Sequence, residues 1–294
     1  MEEVSREAKA KQQKNKAIVH MLISSFGFAV MGVAVKMAVD VPVYEKVFFR
    51  NLFTVFFAYY LVKKNGASLL GSKEGRPLLL MRSIAGMLGV LTMFYALTKI
   101  DVATASTIQK ISQFWVLILA GVFLNEKVHP RQYLYLILAL VGVFVVSKPS
   151  APDVLIPTMI CFASSIFAGI AYIFVSKLKN YEKPPTVVFF FSLFSTVVMF
   201  IPTLLQFKWL TLEEWGIMIL MGTGAMCGQI FLTSAYHYAA ASEVSIYAYA
   251  NIIFSAIIAF MLWGTFPDTL SLLGILLIVL ASVFNFQESR RATQ

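Results

Sequence analysis

Apolar residues in this chain do not alternate with polar ones. They come in near-continuous runs of about 20, cut by short clusters of Pro, Gly and charge. Wound as a helix at ~1.5 Å per residue, such a run crosses a hydrocarbon core ~30 Å thick. Reading the runs between their breaks predicts ten segments: 17–37, 47–62, 78–98, 102–123, 132–147, 154–176, 186–206, 214–236, 243–264 and 270–286. A membrane β-barrel is excluded, because its strands would alternate apolar and polar side chains. Residues 1–16 are polar and charged and are expected to form a disordered tail, and the run after them reads as a retained span rather than a cleaved leader. Residues 287–294 form a second tail.

The ten segments divide into two fives, 17–147 and 154–286. Phe48-Phe49-Arg50-Asn51-Leu52-Phe53 in segment two matches Phe189-Phe190-Phe191-Ser192-Leu193-Phe194 in segment seven. Segments four and nine match more weakly, with Ala96, Ser106, Ile118 and Ala120 over Ala235, Ser245, Ile257 and Ala259. An odd number of spans forces the second copy to enter the membrane upside down. The fold class expected is therefore an all-α membrane protein, ten transmembrane helices arranged as two inverted five-helix repeats. In transporters with such repeats the ligand site lies near the midplane between the halves.

Composition agrees, with 59% hydrophobic and 13% charged residues, where a soluble domain has about a quarter charged. The net charge of +9 does not point to nucleic acid, since the basic residues sit in short loops, as membrane topology requires. Of 24 Lys and Arg residues, 17 fall on one side, Arg82 counted among them; six fall on the other and Lys110 lies within the membrane. The basic side is expected to be cytoplasmic, with both termini there. Cys161 and Cys227 lie in apolar runs and His20, His129 and His237 are far apart, so neither a disulfide framework nor a metal site is expected.

Lys110 is about eight residues into segment four, roughly 12 Å from its start, too deep for its stem to reach the surface. A charge at that depth costs about 2.5–3.5 kcal/mol and needs a water-filled cavity, a counter-ion or a neutral amine. Asp101 and Glu126 of the same segment are roughly 13 and 24 Å away along the axis. No Asp or Glu lies deep in any other segment; Asp40, Glu45, Glu243 and Asp268 fall at or near ends. The missing negative charge is then expected to arrive with the ligand, as a carboxylate or phosphate. Ser106, Lys110 and Gln113, spaced i, i+4, i+7, share one face with Gln109 alongside. Tyr247, Asn251 and Ser255 form the corresponding stripe in segment nine, and Gln229 stands in the middle of segment eight. A plainer reading makes these polar groups hydrogen-bond glue between helices. Glue and binding stand level for Ser106, Ser255 and Asn251, but glue does not require a charge. Gly224 and Gly228, spaced as GxxxG, read as close helix packing.

The chain resembles the drug/metabolite transporter superfamily, specifically its EamA-type ten-span carriers, from about Ile18 to Phe286. The resemblance rests on Arg50, Phe94-Tyr95-Ala96-Leu97, Asp101-Val102-Ala103-Thr104-Ala105 and Phe123-Leu124-Asn125-Glu126 in that order. It implies a central cavity lined by segments one, three, four, six, eight and nine, working by alternating access. Within those segments Tyr95, Tyr172 and Tyr247 become candidate substrate contacts, and Trp115, Tyr236 and Tyr249 weaker ones. Arg50 becomes a candidate gating or vestibule residue, with Glu45 or Asp101 as possible mates, and Lys36 a vestibule candidate. Where the family pattern has proline this chain has Gln113 and Ile252, and Thr265 stands where a Glu closes segment nine. These departures put the usual proline-induced irregularity of segments four and nine in question.

The function expected is a secondary active or exchange transporter of a small anionic or zwitterionic organic metabolite, a carboxylate, amino acid or relative. The alternative is a facilitative carrier or exporter of nucleoside-type or amphipathic drug-like metabolites. A membrane enzyme is disfavoured, because no H-E-x-x-H, P-loop, G-x-S-x-G or paired intramembrane carboxylate occurs. A pore would need rings of like residues, usually from several subunits. Exchange or facilitated movement gains from the missing deep carboxylate, and Lys110 is the one group left for proton coupling. The expected setting is a bacterial inner (plasma) membrane. The expected partners are the cargo and the bilayer, with no cofactor and no nucleic acid, the chain acting as a monomer.

Overall fold

The computed structural model describes residues 2–124, 130–147, 152–239, 244–264 and 267–293, and their regular structure is all helical. Asn125, Glu126, Glu243 and Thr265 lie outside the described residues. The first repeat holds α1 (Glu2–Met37), α2 (Val43–Lys64), α3 (Arg76–Leu97), α4 (Val102–Gln109), α5 (Ser112–Leu124) and α6 (Pro130–Ser147). The second holds α7 (Pro152–Leu178), α8 (Pro184–Leu205), α9 (Leu212–Tyr238), a 3-10 turn (Ser245–Tyr249), α10 (Ala250–Trp263) and α11 (Thr269–Thr293).

Among the described residues six stretches are long and apolar enough to cross a membrane: Gln12–Met37, Arg76–Leu97, Asp153–Leu178, Pro184–Leu205, Leu212–Tyr238 and Thr269–Glu288. The other spans fall short for visible reasons. α2 has the length but carries Glu45, Lys46, Arg50, Lys63 and Lys64, segment four is split into α4 and α5, and Pro130–Val145 and Tyr247–Trp263 are shorter. The outer surface of the bundle is apolar, with Met261 78% and Ile201 64% exposed, as a lipid-facing surface must be.

The inversion is visible in which helices meet. α1 packs on α9 and α3 on α7, so the first and third spans of one repeat meet the third and first of the other. α2 packs on α8 and α6 on α11, each on its own counterpart. Small residues sit at both of the closest crossings. Ser24 Oγ donates to Gly228 O at 2.7 Å; at the α3–α7 crossing a Cβ on Gly89 would lie 3.5 Å from Ser164 O. The small residues are what allow backbones to approach so closely in a bundle that gains little from hydrophobic association.

Local chemistry sets several boundaries. Asp101 caps α4, accepting from Thr104 N at 2.7 Å, and Thr211 and Glu214 form a capping box on α9. Gly264 closes α10 with φ 62°. The N-terminal tail, expected disordered, continues α1 as helix from Glu2. Its Glu, Ala, Lys and Gln residues are good helix formers, and the span below supplies a ready nucleus.

Segment four does not run straight. Lys110 N and Ile111 N bond to Thr107 O and Ile108 O at 3.0 Å, and Gln113 N and Phe114 N to Lys110 O and Ile111 O at 3.1 and 2.9 Å. These are i→i−3 bonds, so the chain winds tighter between α4 and α5. Segment nine has the 3-10 turn Ser245–Tyr249 in the matching place. The irregularity is thus present in both repeats without the prolines.

Candidate substrate-binding cavity

Between the repeats lies a cavity with about 810 Å³ of empty space, its open mouth included. α1 contributes Phe28, Met31 and Gly32, α7 contributes Ala168, Ala171 and Tyr172, and α4 with its C-terminal junction contributes Ser106, Gln109 and Lys110. α9 and α10 add Gln229 and Asn251, while α2 and α8 add Arg50 and Phe191. α3 runs past the whole cavity with Arg82, Gly86, Gly89, Val90, Met93, Phe94 and Leu97, which follow the i, i+3, i+4 spacing of one helix face.

Three of these side chains are cations, and among the described residues the lining contains no carboxylate. Arg50 and Arg82 are 1% and 2% exposed. The Arg82 guanidinium lies over the Phe191 ring at 3.7 Å and that of Arg50 at 5.3 Å from the same centroid, so the two guanidinium carbons are at most about 9 Å apart. At that distance two unit charges in an effective dielectric near 20 repel by about 2 kcal/mol. Arg50 Nη1 donates to Asn51 Oδ1 at 2.6 Å, but Arg50 Nε, Arg82 Nε, Arg82 Nη1 and Gln229 Nε2 have no hydrogen-bond partner. Among the described residues no ion pair or hydrogen bond involves Lys110 Nζ either. Neither Glu45 nor Asp101 serves Arg50: Glu45 Oε2 accepts from Lys208 N at 3.2 Å, and Asp101 caps α4.

The neutral groups add more donors. Gln109 Oε1 accepts from Ser164 Oγ at 2.6 Å, which leaves the amide N–H groups as what Gln109 offers the cavity. Asn251 Nδ2 donates to Ser25 O at 3.0 Å, so its Oδ1 is left as an acceptor. Ser106 Oγ lies 3.1 Å from Ser255 Oγ, where the stripes of segments four and nine meet. A pocket this rich in unpaired donors, walled by apolar side chains, suits a ligand that brings acceptor oxygens and negative charge.

Of the sequence candidates, Lys110, Gln109, Ser106, Tyr172, Gln229, Asn251 and Arg50 line the cavity; four others do not. Gln113 points its Nε2 at Tyr236 Oη, 3.5 Å away. The tightened turn advances each residue by about 120° instead of 100°, which swings Gln113 off the face of Ser106 and Lys110. Tyr95 is 38% exposed, since it stands two positions from both Met93 and Leu97 and so on the other side of α3. Tyr247 lies in the 3-10 turn and packs into the apolar cluster around Tyr236 and Leu232. Lys36 Nζ donates to Ile100 O at 2.6 Å, tying the end of α1 to the loop after α3.

The positive-inside count puts Arg82 with a basic loop, yet it is buried in α3 beside Phe191. Its signal was its place four residues inside segment three, where a surface arginine does not belong. Phe191 also went unrecognised as a site residue, although it is the repeat counterpart of Arg50. Gly86 makes room for both, because a Cβ there would lie 2.8 Å from Arg82 Nη1 and 3.0 Å from Phe191 Cε2. Both are side-chain atoms that can move. Gly86→Ala is therefore expected to fold but to displace the guanidinium, weakening ligand binding about tenfold by isothermal titration while the melting temperature stays within a few degrees.

The pattern of the EamA-like transporter family matches residues 15–148 and 155–287, once per repeat. The chain is 32% identical over 270 residues to the pseudopaline exporter of Pseudomonas aeruginosa, covering 89% of this chain and 93% of that one. It is 27% identical over 252 residues to the S-adenosylmethionine uptake transporter of Rickettsia bellii, covering 85% of each. A solved crystal structure superposes with a TM-score of 0.70 over 94% of this chain and 98% of its own at 14% identity, and so shares the fold.

Proposed function

This chain belongs to the EamA-like transporter family, and from that premise we propose that its cargo is a small organic anion or zwitterion bearing a carboxylate or phosphate. The protein is a multi-pass membrane transporter and not an enzyme. The observation that carries the cargo class is the set of three cations in one cavity, Arg50, Arg82 and Lys110, with no carboxylate among the described residues of its lining. An incoming anion lowers the desolvation cost of those charges, which is the differential interaction alternating access needs. Rocking of the two repeats about the cavity would expose it to one face and then the other. The lysine and arginine bias supports termini on the cytoplasmic side, and the setting in this reading is a bacterial inner membrane. The family does not fix direction, since the named relatives are an exporter and an uptake transporter.

The test is counterflow in proteoliposomes preloaded with an unlabelled carboxylate, with transient accumulation of the labelled compound as readout. Saturable accumulation with carboxylates and none with uncharged nucleosides is expected. Saturable nucleoside counterflow with no carboxylate transport would overturn the anion reading.

A further inference from the structure

The cationic groups are not shared evenly between the repeats. Arg50, Arg82 and Lys110 all belong to the first repeat. Among the described residues the second gives the cavity only neutral side chains, Phe191, Gln229 and Asn251 among them. They also form two clusters. Arg50 and Arg82 share the Phe191 ring, whereas Lys110 stands at the α4–α5 junction beside Gln109. Counted along the helix axes from the α3–α4 connection, the Arg82 and Lys110 backbones differ in depth by roughly 10 Å.

Resting on the anion reading above, we propose that the cavity selects organic substrates carrying two separated carboxylates, one received by the Arg50–Arg82 pair over Phe191 and the other by Lys110 with Gln109. A monocarboxylate serves one cluster and leaves the other charged and unpaired. That residue of buried charge is the penalty that discriminates against it. The two guanidinium groups offer donors that no protein acceptor uses, at Arg50 Nε, Arg82 Nε and Arg82 Nη1, which matches the several lone pairs of a carboxylate. Because the described residues of the second repeat bring no charge to the cavity, the substrate's anionic groups face the first repeat and its neutral part faces Gln229 and Asn251.

The experiment measures binding of hexanoate, adipate and glycerol 3-phosphate to the purified full-length protein by isothermal titration. The first two have equal carbon number and one against two carboxylates; the third puts two charges on one group. Adipate is expected to bind at least about tenfold more tightly than either of the others. In Arg82→Gln the adipate advantage over hexanoate should fall to about twofold or less, with hexanoate binding retained through Lys110. If Arg82→Gln does not fold, as judged by its ligand-free melting curve, Arg50→Gln is expected to give the same loss. Equal binding of hexanoate and adipate, or glycerol 3-phosphate binding as tightly as adipate, overturns the two-point site but leaves the anion reading standing. Failure of all three to bind, together with counterflow of an uncharged cargo, overturns both.

Discussion

Lys110→Ala lowers carboxylate transport about 10- to 100-fold in kcat/KM while the ligand-free protein melts at the same temperature or higher. The first half follows from removing a charge-assisted contact in the cavity, worth roughly 1.5–3 kcal/mol. The second follows from the cost of the ammonium itself. It has no protein partner to lose, so its removal relieves a burial penalty of about 2.5–3.5 kcal/mol. A residue placed for stability would behave in the opposite way. Lys110→Arg should also transport poorly, because a planar fork does not replace a compact ammonium. Uptake kinetics and a melting curve on the same preparations check both halves; wild-type transport in Lys110→Ala would remove Lys110 from the site.

Gly224→Leu is expected to prevent assembly of a monodisperse protein, with a loss of about 3 kcal/mol or more from overpacking. A Cβ at Gly224 would lie 2.8 Å from Gly27 O and 2.9 Å from Met31 N. Both neighbours are backbone atoms of α1, so nothing can yield except the α1–α9 crossing itself. Gly27 meets α9 reciprocally, 2.7 Å from Gly228 N and 2.8 Å from Gly224 O. Gly216 of the same helix is the control. A Cβ there meets nothing within 4 Å, so Gly216→Ala should elute and melt like the wild type, with a small gain from helix propensity. Size-exclusion chromatography in detergent reads both variants, and a well-behaved Gly224→Leu would mean that the crossing is looser than its contacts indicate.

The position of Arg82 shows how sequence and structure divide the work. Its depth was legible, since segment three begins before it, but a positive-inside count absorbs any arginine near a span end. What separates a snorkelling arginine from a cavity arginine is which side of the helix faces lipid, and a helix with apolar residues all round does not display that. The same blindness misplaces Tyr95, two positions from the lining residues Met93 and Leu97 yet on the far side of α3. Gln113 failed for another reason. An i, i+7 spacing implies a shared face only in an unbroken helix, and two tightened turns intervene.

The sequence by itself determined the spans, the inversion and the presence of a cation without a partner on its own helix. Each of these depends on chain length, hydropathy and charge count, quantities that folding does not alter. Only the tertiary structure decided that Arg50, Arg82 and Lys110 open into one cavity, that Phe191 joins the two arginines, and that segment four tightens at Lys110. Those facts arise where helices distant in the chain cross, and the rotation of each helix there is set by the small residues and hydrogen bonds of its neighbours.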